Sequence, residues 1–165
     1  MVNIAPITST INELDSLYNA NSAQATYFSK LALIELCGWI EQTMDSIILD
    51  YATLKLSNPQ NITFVEKNIV NNTYGFHYES HFRPMLMKVV GIIKLELIET
   101  ALQSTGEFAT LCSQLGTLKS NRDRVAHTTI TGITHSYDSP SRIKNYLSVI
   151  HPILVKFEKE LIALA

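Results

Sequence analysis

Ser139-Pro140-Ser141-Arg142-Ile143-Lys144-Asn145-Tyr146-Leu147 opens the stretch whose reading decides the fold. Serine followed by proline is a helix N-cap and first-turn pair. From there Ile143, Leu147, Ile150, Leu154, Phe157, Leu161 and Leu164 recur at spacings of 4, 3, 4, 3, 4 and 3. That period lines all seven along one face of an α-helix. Such a seam suits antiparallel packing in a bundle, or a dimer interface. Pro152 falls inside it and is expected to kink or loosen one turn.

Working outward, the same periodicity recurs upstream. A long helix is expected from about Ala23 to Leu56, with Leu33, Cys37, Ile40, Met44 and Ile47 as its stripe and Leu36, Ile48 and Tyr51 widening it. Ser57-Asn58-Pro59 ends it. A second long helix is expected over Arg83–Gln103, with Leu86, Val90, Ile93, Leu97 and Ala101 facing inward and Met85, Val89 and Ile92 beside them. Gly106 marks a turn, and Glu107 to about Leu118 reads as helix, with Phe108, Leu111 and Leu115 inward. At the other end, residues 1–8 read as a loose terminus, and Thr8, Ser9 or Thr10 as the cap of a short helix to about Ala20. Residues 61–72 read as another short helix. The sum is an all-α protein, an up-and-down bundle of four to six helices in one domain, residues 1–165.

Composition narrows the function classes. Apolar residues make up 46%, too many for a disordered chain. The net charge of −2 excludes a generally basic nucleic-acid binder. The charge is uneven, however. Residues 1–116 carry six Lys/Arg against eleven Asp/Glu, and residues 117–165 carry seven against four. An anionic ligand is therefore best placed near the C-terminal third. Cys37 and Cys112 sit in apolar helical patterns and read as buried small hydrophobes rather than a disulfide. Met1–Thr10 lacks the features of a signal peptide, and no apolar run reaches the length of a membrane span, so the chain reads as cytoplasmic with no membrane partner.

The basic excess begins at Ser120-Asn121-Arg122-Asp123-Arg124-Val125-Ala126-His127. On a helix Asp123 and His127 are one turn apart on one face. With Ser120 or Asn121 as its cap, that helix would begin at Arg122, where backbone N–H groups favour an anion. A guanidinium, an imidazole and a helix start together could bind and cleave a phosphodiester; an Asp–His pair on a solvated helix face is the plainer reading. Glu41, in the middle of the long second helix, is either solvated or a buried carboxylate that positions a cation or the motif's histidine. His77 and His81 have helical spacing, which could suit a metal but is better read as packing or a partner contact. His135 reads as a solvated loop residue. The chain has no glycine-rich phosphate loop, G-x-S-x-G, CxxC pair or H-E-x-x-H.

Arg122-Asp123-Arg124-Val125-Ala126-His127 resembles the R-x4–6-H signature of the HEPN superfamily. There the motif lies on a late helix of a four- or five-helix bundle, often with a polar residue after the Arg. The apolar helix before it and the Ser139-Pro140 helix after it agree, and Trp39-Ile40-Glu41 is similar to an early HEPN helix that carries an acid. The likeness runs over roughly residues 23–165 and is nearest to bacterial stand-alone HEPN proteins of RNA-targeting and defence systems.

The resemblance implies a metal-independent endoribonuclease, with no cofactor, acting as a homodimer whose two motifs share a cleft. A toxin or defence role would follow, with a protein antitoxin or regulator as partner. Arg122 would stabilise charge on the scissile phosphate of RNA, His127 would transfer protons, and Asp123 would orient one of them. Attack by the 2′-OH would leave a 2′,3′-cyclic phosphate. Lys119, Asn121, Arg124, Thr128 and Arg142 are the candidates for RNA backbone contacts, with Glu41 in support. One toxin branch has a Tyr shortly after the His; here Thr128, Thr129 and Ile130 follow, so control by modifying that Tyr is not supported. Some HEPN domains have lost catalysis, so the alternative is a non-catalytic helical interaction or dimerisation module.

Overall fold

The computed structural model describes residues 2–127 and 136–163. Among them the chain is an all-helical bundle without strands. Its helices are α1 (Ala5–Ala20), α2 (Ala25–Lys55), α3 (Pro59–Phe64), α4 (Arg83–Gln103), α5 (Glu107–His127) and α6 (Pro140–Ala163). No helix among the described residues is long and apolar enough to cross a membrane. In α6 the 4-3 residues from Ile143 to Leu161 are all buried; Leu164 lies outside the described residues. The helix runs through Pro152. The expected stripe of α2 is buried without exception, so α2 and α6, with α1 beside both, form the centre of the core.

The first helix starts earlier than the sequence suggested. It begins at Ala5 rather than after Thr8, because Ile7 extends the buried row Ile7, Ile11, Leu14. Pro6 sits in the first turn, where its missing N–H is harmless. The residues before it are tied down as well. Trp39 Nε1 donates to the Asn3 carbonyl (3.0 Å), and the Val2 N–H donates to the buried Glu158 carboxylate (3.3 Å).

Helix α4 departs from the expected pattern. Gly91 has φ 80° and ψ 161°, far from helical values and open in practice to glycine alone. The helix is broken there, and its second half is rotated. Met85 and Leu86 are buried before the break, but Leu95, Ile98 and Leu102 are buried after it. Ile93 and Leu97, expected inside, are 77% and 53% exposed. A stripe extrapolated through Gly91 at 100° per residue therefore lands on the wrong face.

Between α3 and α4 the chain makes two short π-helical turns, Val65–Val70 and Tyr78–Phe82. The second carries the aromatics into the core. Tyr78 and Phe82 meet Phe157 of α6 at centroid distances of 6.4 and 5.1 Å, and Tyr78 meets Phe108 of α5 edge-on at 5.0 Å. The buried Tyr78 hydroxyl donates to Glu99 Oε1 (2.7 Å), which also accepts from Arg83 Nε (2.8 Å). A polar group is thus buried with its partner, as the low interior dielectric requires.

One half-buried carboxylate on α2 works against folding. Asp45 lies four residues after Glu41 on α2, and burial together with the Glu41 charge pushes its carboxyl from 3.8 up to about 6. The folded state holds that proton more tightly than the unfolded chain. Stability is therefore lost as pH rises between 3.8 and about 6. Asp45→Asn is expected to add about 1–2 kcal/mol at neutral pH, discounted for partial solvation. Urea unfolding at pH 7.5 should show the gain and at pH 3.5 should not; equal stability of the two proteins at pH 7.5 would contradict it.

Candidate active site at the end of helix α5

No separate helix begins at Ser120 or Asn121. Leu111, Leu115, Leu118 and Val125 continue one buried row, and α5 runs unbroken to His127. Arg122 to His127 therefore occupy the final turns of a helix, not its start. Backbone N–H groups there are already used within the helix, and the negative end of its dipole is near. Any anion at this site must be held by side chains. The cations Arg124 and His127 in the last turn complement the helix dipole.

Arg122 and Asp123 do come together. Arg122 Nε and Nη2 both donate to Asp123 Oδ1 (3.3 and 3.0 Å), and Lys119 Nζ donates to Asp123 Oδ2 (2.7 Å). The Lys119 and Arg122 hydrogen bonds hold the Asp123 carboxyl below its usual range. The Arg122 guanidinium also lies 5.5 Å from the centre of the Phe76 ring, within cation–π range. His127 is exposed, one turn beyond Asp123. Five helical positions separate it from Arg122, a rotation of about 140°. Within one chain the two motif ends thus point apart.

The other candidates form a second network joining α5 to α6. Asp138 accepts from Arg142 Nε (3.1 Å), Asn121 Nδ2 (3.3 Å) and the Tyr146 hydroxyl (3.3 Å). Arg124 donates to Asn121 Oδ1 (3.3 Å) and stands 5.8 Å over the Tyr137 ring. Asn121, Arg124 and Arg142 thus have structural partners, although Arg142 remains 67% exposed. A groove of about 600 Å³ runs from Arg142 along α5 and α6, past Gln114, Thr117, Asn145 and Tyr146. Thr128 and His135 lie outside the described residues.

Among the described residues Glu41 pairs with no cation, but it does not stand free. Its Oε1 accepts the Gly75 N–H at 2.7 Å. That bond ties the turn before Tyr78 to α2. Gly75 has φ 125°, and a Cβ added there would stand 3.0 Å from His81 Cε1. The positive φ calls for glycine, and the missing Cβ leaves room for the His81 ring. The turn also carries His77 and His81, together with Ser80, whose part the sequence did not reveal. His77 Nδ1 and His81 Nδ1 both contact Ser80 Oγ, at 3.1 and 3.2 Å. The i, i+4 spacing of the histidines was visible, but not their link through Ser80. Burial keeps His81 below its usual pKa; the His77 and Lys119 charges add to the effect, while hydrogen bonding to the His77 backbone and the Glu41 charge oppose it. Beneath them Cys37 is pushed up to about 12 by burial and is an inert thiol that feels Arg122, Asp123 and Glu41. Among the described residues no three His, Cys, Asp or Glu side chains are grouped to hold a metal ion.

Comparison with protein-family models, with characterised proteins and with solved structures finds no match to this chain.

Proposed function

We propose that this protein is a metal-independent endoribonuclease of HEPN type, with Arg122 and His127 contributed to a cleft shared by two copies. The observation that carries the reading is the held guanidinium. Arg122 is fixed by Asp123 and by the Phe76 ring, yet its side chain remains 35% exposed. A preorganised, accessible cation of this kind can stabilise the charge that develops on a phosphodiester. Two further features support the reading. Lys119 shares the Asp123 carboxylate with Arg122, and Arg142 stands exposed on Asp138 in the neighbouring network. The divergence of Arg122 and His127 around α5 favours pairing one chain's Arg122 with the other's His127. Cleavage of mixed RNA in EDTA is the test. Wild-type protein should leave 2′,3′-cyclic phosphate ends, and His127→Ala should be slower by about 10²–10⁴-fold. Cleavage that needs a divalent metal, or that is unchanged in His127→Ala, would overturn the reading.

The second reading is a non-catalytic interaction module, and the second half of α4 favours it. Ile92, Ile93 and Leu97 make an apolar face that the rest of the described chain leaves uncovered. Isolated apolar residues on a surface mean little, but a grouped set marks a contact. A homodimer through this face is expected to dissociate in Ile93→Glu, with helix content unchanged. Sedimentation velocity distinguishes the cases, and an unchanged sedimentation coefficient would remove α4 from the interface.

A further inference from the structure

We propose that His77 and His81 form an acid–base pair for phosphodiester cleavage, held in opposite tautomers by the Ser80 hydroxyl between them. The inference rests on the ribonuclease reading above and changes it in one respect: both proton transfers fall to this pair, and His127 contributes contact with the phosphodiester beside Arg122.

The argument starts from hydrogen counting. Ser80 Oγ contacts both rings through the same atom type, Nδ1, at 3.1 and 3.2 Å. A serine hydroxyl carries one proton. It can donate to only one Nδ1, and in the arrangement we assign it accepts from the other. The ring that accepts has its own proton on Nε2. The ring that donates has Nδ1–H and a bare Nε2. Two neutral imidazoles bridged this way therefore present one Nε2 as a base and the other as a proton donor. Cleavage by a neighbouring 2′-OH needs one of each.

The setting holds this arrangement in place. The backbone N–H groups of His81 and Phe82 both donate to the His77 carbonyl (3.0 and 3.3 Å), closing a π-helical turn. Turns of that type are costly and recur at functional sites. Tyr78 and Phe82, the alternate residues of the turn, are locked in the aromatic core, so the histidines stay on the outer side. Gly75 makes room for the His81 ring, since a Cβ there would stand 3.0 Å from Cε1 and 3.1 Å from Nε2. Phe76, adjacent to His77, carries the Arg122 guanidinium. The ring pair, Arg122 and Lys119 thus share one surface, and burial favours the neutral form of His81 that the relay requires.

The proton balance closes without a further reactant. The bare Nε2 takes the 2′-OH proton as the 2′ oxygen bonds to phosphorus. The same ring passes its Nδ1 proton to Ser80 Oγ, and Ser80 passes its own to the other Nδ1. That second ring releases its Nε2 proton to the departing 5′ oxygen as the P–O5′ bond breaks. The products are a 2′,3′-cyclic phosphate and a 5′-hydroxyl. Both rings end neutral with tautomers exchanged.

Two measurements on the whole protein test this. Long-range ¹H–¹⁵N NMR of the histidine rings should show one Nδ1–H and one Nε2–H tautomer at positions 77 and 81, with the opposition lost in Ser80→Ala. The same tautomer in both rings, or no change in Ser80→Ala, overturns the coupling. Cleavage assays then compare wild type with His77→Gln and His81→Gln, each checked for native helix content. Losses of about 100-fold or more in kcat with little change in KM support the pair. Wild-type-like cleavage by both variants overturns it and leaves the ribonuclease reading intact. No cleavage by the wild type overturns that reading and the catalytic role of the pair together.

Discussion

Phe157→Ala is expected to lower folding stability by about 3–5 kcal/mol. The side chain is fully buried and lies against Phe82 and Tyr78, which come from the π-helical turn rather than from a long helix. Removing the ring would leave a cavity between α6 and that turn, and the turn cannot collapse into it. Tyr78 is held by the Glu99 hydrogen bond, and Glu99 by Arg83. The local structure is therefore too constrained to relax, and the loss should lie near the upper part of the range. A marginally stable domain has only about 5–15 kcal/mol in total, so the variant should unfold at much lower urea. Leu97→Ala removes an apolar side chain of similar chemistry from the exposed half of α4 and should change stability by less than about 0.5 kcal/mol. A Phe157→Ala loss below that of Leu97→Ala would mean the aromatic cluster is not the keystone between the turn and α6.

On the ribonuclease reading proposed above, Arg122→Ala is expected to reduce RNA cleavage by about 10²–10³-fold, as removal of one preorganised charge-stabilising donor does elsewhere. Arg122→Lys should recover little. An ammonium cannot keep two donors on Asp123 and a planar face on Phe76 while offering another donor to phosphate. The partly exposed Arg122–Asp123–Lys119 ion pairs are each worth at most about 1 kcal/mol, so the fold should survive either change. The comparison to make is cleavage rate against urea midpoint for all three proteins. Full activity in Arg122→Lys would reduce the role of this residue to a bare positive charge.

Much of the bundle is legible in the residues themselves. The 4-3 rows of α2 and α6 are buried as their spacing implies, because Gly38 of α2, unlike Gly91, does not take a positive φ and α6 runs through Pro152. Phase also explains the failure on α4. A glycine inside an apolar run looks tolerable, but the positive φ of Gly91 resets the rotation, and the sequence does not reveal that choice of basin. The boundary error before Arg122 has a different cause. Ser120 and Asn121 are good caps, yet Leu118 and Val125 are seven apart and carry the α5 row straight through them. Packing outweighed the cap preference, as it commonly does. In the site, adjacency was readable and long-range contact was not. Arg122 and Asp123 pair as neighbours do, whereas the link between Glu41 and Gly75 spans 34 residues. The histidines at 77 and 81 were placed by a π-helical turn whose spacing resembles that of an ordinary helix.

The anchoring of Asn3 gives the molecule a built-in optical probe. Trp39 is the single tryptophan of the chain, and its indole both clasps the Asn3 carbonyl and lies 6.3 Å from the His151 ring. Its emission therefore reports on one place, where the first residues lie down on α2 beside α6. Fluorescence and circular dichroism would trace one unfolding curve only if that clasp opens together with the bundle. If it opens first, the fluorescence curve would run ahead at low urea, and the separation between the two curves would give the free energy of peeling the first helix away.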